Sequence, residues 1–207
     1  MKFENTEVWG FEHAIRGMRN PMNSWDKSDS GYIDKRFNDQ FHIGPNDMKL
    51  MKTLIKAGPE HRKFLRQIFI SVDITAPLYW WKEFDTYKVG TVANSCSTMH
   101  KLKDTPITVD CFEMGDYCGF FETPWKNLIA LLEQCRKEYN ETKDKRYWKE
   151  LIRLLPESWL QKRTVTMSYE NVANMYSQRM NHKLTEWSKD FIQWADNLPY
   201  FKELFTV

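Results

Sequence analysis

Phe64-Leu65-Arg66-Gln67-Ile68-Phe69-Ile70-Ser71-Val72-Asp73-Ile74, followed at once by Thr75-Ala76-Pro77-Leu78, is the stretch that decides the fold. Phe64, Ile68, Ile70, Val72 and Ile74 fall on alternate positions, the period of a strand with one buried face. The pattern then changes. Thr75 can cap a helix, and a proline in a first turn loses no hydrogen bond the helix needs. Leu78, Trp81, Asp85 and Lys88 share one side of the predicted helix, with Phe84 beside them and a charged pair on a partly apolar face. A strand handed directly to a helix points to a mixed chain.

Upstream, Met48, Met51, Leu54 and Ile55 recur at helical spacing from Asn46, and Gly58-Pro59 stops that helix. Downstream, Thr123-Pro124 opens a helix with Leu128, Ile129, Leu131, Leu132, Cys135 and Tyr139 on a broad apolar side. Residues 140–146 interrupt it, and 147–155 resume a helix that Pro156 closes. Ser168 caps a long final helix carrying Val172, Met175, Tyr176, Leu184, Trp187, Phe191 and Trp194, before a break at Leu198-Pro199. Residues 91–100 are small and hydroxyl-rich without a period; they read either as a pocket floor or as a loop satisfied by its own hydroxyls. Residues 1–45 are the least periodic, and 20–31 read as an exposed, turn-rich loop. No internal repeat and no Gly/Ser-rich linker divides the chain, so a single mixed α/β domain over 1–207 is expected.

At 207 residues, 42% hydrophobic and 28% charged, the chain can build one core, or at most two tight ones. Its 30 basic and 28 acidic residues leave a net charge of +2, which argues against a nucleic-acid polymer as partner. No apolar run approaches the roughly 20 residues of a membrane helix. Met1-Lys2-Phe3-Glu4-Asn5 carries no apolar leader. The expectation is a cytoplasmic protein without a membrane partner. Four cysteines include no Cys-x-x-Cys and five histidines are scattered, so neither a disulfide framework nor a metal site is expected. Aromatic residues reach 15%; such rings fill cores first, and also wall ligand pockets and subunit interfaces.

Gly-rich phosphate loops and the nucleophile elbow are absent. A bound phosphate must therefore be held by side chains and helix ends. Cys96 lies between Ser95 and Ser97, but nothing in the sequence places a base beside it. His61 follows Glu60 just ahead of the strand, open to a structural or a functional role. Arg179, on the apolar-patterned final helix, needs a partner. An internal carboxylate, the solvent edge and an anionic ligand are the three choices.

Taken in order, these residues resemble the flavin-dependent thymidylate synthases. That family has a Glu-His pair before a strand, then an Ala-Pro helix start, a basic Arg-His-Arg triplet and a Ser, Asn, Ser, Arg series. Here the corresponding residues are Glu60-His61, Ala76-Pro77, Thr86-Tyr87-Lys88, then Thr91, Asn94, Ser97 and Met99-His100. Leu155-Pro156, Ser168 and Arg179 match a later Leu-Pro turn, a capped helix and its arginine. The likeness spans roughly residues 55–190, leaving 1–45 as a divergent amino-terminal segment.

The resemblance implies an α+β fold, a central antiparallel-rich sheet flanked by long helices, assembled as a homotetramer with shared active sites. It implies FAD as cofactor, and methylation of a pyrimidine deoxynucleotide, dUMP or a variant, with methylene-tetrahydrofolate and NADPH. By the same likeness His61, Tyr87 and Asn94 would meet the flavin. Lys88, Ser95, Ser97, His100 and Arg179 would meet the nucleotide, Arg179 and Lys88 as the catalytic cations. Two cations of the triplet are missing, the family's glutamate after its asparagine is Ser95, and its last arginine aligns with Met99. Each charge-assisted hydrogen bond that goes unmade costs about 1.5–3 kcal/mol. The alternative is therefore a non-catalytic nucleotide-binding or assembly protein on the same fold.

Overall fold

The computed structural model describes residues 1–33, 41–115 and 118–205. They form β1 (Lys2–Trp9), α1 (Phe11–Arg19), a two-residue antiparallel pair β2 (Gly31–Tyr32) and β3 (Phe41–His42), α2 (Pro45–Lys56), β4 (Phe69–Pro77) and α3 (Leu78–Phe84). After these come β5 (Val92–Ser95), α4 (Thr98–Lys101), α5 (Glu122–Thr142), α6 (Lys145–Leu154), β6 (Leu160–Ser168), α7 (Tyr169–Arg179), α8 (Ile192–Asp196) and α9 (Phe201–Phe205). A four-stranded antiparallel sheet has the order β1-β4-β6-β5, and helices flank it. The chain packs as two compact units. One, the β5 unit, takes residues 1–2, 73–86 and 93–164; the other, the α7 unit, takes 3–72, 87–92 and everything from 165 on. Strands β4 and β6 contribute residues to both.

Alternation in the deciding stretch keeps the expected phase, with Ile68, Ile70, Val72 and Ile74 all buried, but the strand's bounds differ. Phe64 and Leu65 are buried on a 3-10 turn, Lys63–Gln67. The strand proper buries Ile70, Val72, Ile74 and Ala76. Its pairing continues through Pro77, which sits extended (ψ 155°) as the residue before α3. The helix therefore begins three residues later than Thr75. It also ends at Phe84, so Lys88 is not on it; Thr86 turns the chain back, its N–H and hydroxyl both donating to Glu83 O. Asp85 accordingly meets Arg163 Nη1 at 2.8 Å, not Lys88.

In the β5 unit, α5 and α6 close over Leu102, Ile107, Phe112, Leu132 and Leu151. Glu133 ties segment 103–107 to α5. Arg136 donates to both its oxygens at 2.7 Å, and Ile107 N–H donates at 2.8 Å. The Arg136 hydrogen bonds, opposed by partial burial and aided by the Ile107 N–H, hold the Glu133 carboxyl down at about 2 against an ordinary 4.5. A depressed native value means the stabilisation is present above about pH 4.5 and lost as pH falls towards 2. Glu133→Gln should cost about 1–3 kcal/mol at pH 7, with the deficit shrinking in acid. Urea melts across that range test it; a pH-independent deficit would contradict it.

The α7 unit buries Phe11, Ala14, Ile15 and Met18 from α1 with Ile68, Tyr169, Val172, Met175 and Phe201. Tyr169 donates its phenol to Pro199 O at 2.7 Å. Gly10 turns β1 into α1 at φ 96°, where a Cβ would stand 2.2 Å from Gln67 O; only glycine fits. The segment expected as an exposed loop, 20–31, is exposed for most of its length, and it is fastened from beneath. Asp47, fully buried, accepts from Arg19 Nε at 2.6 Å, from the hydroxyls of Ser28 and Ser30 at 2.7 Å each, and from Asp29 N–H at 3.1 Å. Arg19 reaches on to the Ser24 and Lys27 carbonyls.

Ser168 caps α7 as expected. Its hydroxyl accepts from Asn171 N–H, and the Asn171 side chain answers at Ser168 N–H, closing a capping box. The long final helix is broken, however. After Arg179 the chain turns; His182 Nδ1 takes the Leu184 N–H at 3.2 Å, competing with the helical pattern. It resumes as a wide π-helical turn, Glu186–Phe191, before α8.

Candidate functional site

Helix α7 sets out polar groups four residues apart: Glu170, Asn174 and Gln178, hence on one face. Glu170, in the first turn, is buried. Arg66 donates to it through Nε and, at 3.5 Å, through Nη2; Arg62 Nε stands 3.5 Å from its other side. Arg62 Nη2 donates to Asn174 Oδ1 at 2.8 Å. Two guanidiniums thus share one carboxylate, and Glu60 is near enough to act on Arg66 as well. Arg62 Nε is buried and finds no hydrogen-bond acceptor among the described residues. That nitrogen is instead ion-paired with Glu170 Oε1 at 3.5 Å, outside hydrogen-bond geometry.

Next in sequence to Arg62, His61 lines a cavity of about 650 Å³. Met18, Leu50, Leu54 and Phe64 make apolar walls, and Asn20, Ser24, Glu60, Lys63 and Gln67 join His61 as its charged and polar lining. The volume is in the range of small-molecule and cofactor sites, about 300–1,000 Å³.

At the far end of α7, Arg179 is half-buried. Its Nε donates to the Tyr87 hydroxyl at 2.9 Å, which donates in turn to Gln178 Oε1 at 2.9 Å. The guanidinium carbon lies 5.0 Å from the Trp187 ring centre and 5.5 Å from that of Tyr87, within cation–π range. The loop bearing Tyr87 is lashed down. Asn171 Nδ2 donates to Val89 O at 2.7 Å, and Thr91 Oγ1 to Tyr87 O at 2.7 Å. To the three partners open to Arg179 in the sequence, the geometry adds a fourth kind, a neutral phenol and two aromatic faces. Lys88 projects from the same loop, exposed.

In the β5 unit, Asn94 and Ser95 are exposed on β5. Ser97 and His100 meet: the Ser97 hydroxyl accepts from His100 N–H at 3.1 Å and lies 3.2 Å from its Nδ1. A small pocket of about 160 Å³ adjoins them, lined by Cys96, Ser97, Thr98, Lys101, Gln161 and Lys162 among others. Both lysines are already engaged, Lys101 with Asp104 at 3.0 Å and Lys162 with Asp73 at 3.2 Å.

The fold therefore joins Tyr87 to Arg179 and Ser97 to His100, and sets His61 on the largest of the cavities described. No sequence pattern marks Arg62, Arg66, Gln178 or Trp187 as site residues. An acid at the start of α7 and two arginines four residues apart are visible in the chain, but their pairing spans 104 residues.

Neither a protein-family model nor a curated relative matches the sequence. Solved structures do. The flavin dependent thymidylate synthase ThyX from Helicobacter pylori, complexed with FAD and dUMP, superposes with a TM-score of 0.75 over 100% of this chain and 98% of that one, at 16% identity. A second structure of that enzyme with the same ligands gives the same values. A UMP/dUMP methylase, PolB from Streptomyces cacaoi, bound with 5-Br dUMP, gives 0.64 over 99% and 94%, at 15% identity. The chain has the fold of these proteins, strongly diverged in sequence.

Proposed function

We propose that this chain, whose fold is that of the flavin-dependent thymidylate synthases, transfers a one-carbon unit to a pyrimidine deoxynucleotide. The acceptor is dUMP or a variant of it, the donor methylene-tetrahydrofolate and the reductant NADPH, with FAD as cofactor. The observation that carries the reading is helix α7 itself. Asn174 holds Arg62, next to the cavity-lining His61, and five residues on Arg179 ends the same helix, about 7.5 Å farther along its axis.

The residues present fit a flavin dinucleotide on two counts. The guanidiniums of Arg62 and Arg66, gathered at Glu170, are donors of the kind that suits a diphosphate. The cavity beside His61, with apolar walls and several polar groups, suits a planar ring system. These arginines also offset the cations missing from Thr86-Tyr87-Lys88. When bound, FAD supplies the redox chemistry, so no side chain need act as nucleophile. Arg179 would bind the anionic nucleotide and stabilise negative charge developing on the pyrimidine. Lys88 would add a point charge from the loop, without the bidentate geometry of a guanidinium. By the family likeness Ser95, Ser97 and His100 would meet the nucleotide and Asn94 the flavin.

Exposed apolar side chains support the homotetramer: Val89 is 89% exposed, Phe120 84% and Val92 64%, surface of the kind that subunit contacts cover. No helix among the described residues is long and apolar enough to cross a membrane.

Two measurements test the proposal. The purified protein, or protein reconstituted with FAD, should show flavin bands near about 370 and 450 nm. With FAD, NADPH and methylene-tetrahydrofolate it should release tritium from ring-labelled dUMP or a related nucleotide. Failure to retain flavin after reconstitution would remove the reading; flavin and nucleotide binding without turnover would leave a binding protein.

A further inference from the structure

We infer that Tyr87 is a positioning residue, setting the Arg179 guanidinium for an anionic pyrimidine rather than touching flavin or nucleotide. The inference rests on the proposed role of Arg179 in facing the nucleotide. A phenol has one proton. Here that proton goes to Gln178 Oε1, so the oxygen's lone pairs are turned to Arg179 Nε, each hydrogen bond 2.9 Å long. Trp187 supports the arrangement from its ring face, 5.0 Å from the guanidinium carbon and 6.3 Å from the Tyr87 ring at 62°.

Engagement through Nε fixes the rotation of the planar fork, the freedom that an arginine side chain otherwise keeps. The cost of ordering is met before a ligand arrives, which is how a pre-organised site gains affinity. The device depends on the loop's anchorage, since Asn171 at the start of α7 holds Val89 and Gln178 near its end holds Tyr87. The resemblance implies that Tyr87 meets the flavin; in the fold its hydroxyl is engaged on both sides, by Arg179 and Gln178.

Tyr87→Phe removes one oxygen and keeps the ring. Calorimetry with dUMP on the purified protein should show about tenfold weaker binding, equivalent to roughly 1.4 kcal/mol. Melting temperature should change little. In an Arg179→Ala background, Tyr87→Phe should have less than about a twofold further effect. Labelling of Arg179 by an arginine-selective dicarbonyl reagent, read by mass spectrometry, should quicken severalfold in Tyr87→Phe.

An undiminished loss in the Arg179→Ala background would mean that Tyr87 touches ligand, and would overturn the inference. So would wild-type affinity with unchanged labelling. If Arg179→Ala alone binds dUMP as the wild type does, the functional reading fails. Labelling then decides the positioning role separately, faster in Tyr87→Phe if it stands and unchanged if it falls.

Discussion

Replacing Asp47 by alanine is expected to cost about 3–5 kcal/mol of stability, the largest single loss we foresee. The carboxylate is wholly buried and faces Arg19, itself only 4% exposed. Removing it strands a guanidinium that cannot reach water, and leaves the Ser28 and Ser30 hydroxyls and the Asp29 N–H without their acceptor. Residues 20–31 should come loose from α2, since Asp29 also caps that helix at Asn46 and Asp47. Burial alone would raise the Asp47 value. The hydrogen bonds from Ser30, Ser28, Arg19 and the Asp29 backbone more than offset it and hold the carboxyl below its ordinary 3.8. The sign follows. This stabilisation is intact at neutral pH and drains away as pH falls through the lowered native value. Denaturant melts of wild type and variant should therefore converge in strong acid; equal stability at pH 7 would refute the assignment.

The second large effect is on affinity. Arg179→Ala should weaken dUMP binding about tenfold to a hundredfold, the range for one charge-assisted hydrogen bond. Its cost in stability should stay near 1 kcal/mol, roughly the worth of a partly exposed guanidinium on an aromatic face. Arg179→Lys keeps the charge but cannot reproduce the fork or its hold on the Tyr87 oxygen, and should recover only part of the loss. Calorimetry and melting curves on the same preparations separate the two terms. A drop in melting temperature with unchanged affinity would make Arg179 a structural residue.

Helices α2, α5 and α6 are legible in the sequence because their apolar periods are local and their stops are Gly-Pro, a polar break and a proline. The capping of α7 by Ser168 is legible for the same reason. The hand-over between elements is not. Thr75-Ala76-Pro77 is compatible with a helix start, but Ala76 keeps the strand's buried phase and Pro77 can stay extended; pairing with neighbouring strands decides it, and pairing is not local. The final helix reads as continuous because Leu184, Trp187 and Phe191 keep an apolar rhythm across a turn.

The candidate site is readable only in part, for a related reason. Arg179 announces that it requires a partner, yet Tyr87 lies 92 residues away. Arg62 and Arg66 look like ordinary surface cations until Glu170 draws them to one carboxylate. Segment 1–45, silent as a pattern, carries the buried Arg19 on which Asp47 depends. Long-range pairings of this kind leave no period to detect.

The π-helical turn over Glu186–Phe191 has a consequence for which changes the chain can absorb. It houses more backbone per revolution than an α-helix, so the azimuth of Trp187 depends on how many residues lie between it and α8. Substituting a residue there leaves that number alone. Excising one would rotate the indole about the helix axis, out from under the guanidinium. Residue count, more than residue identity, keeps that indole under Arg179.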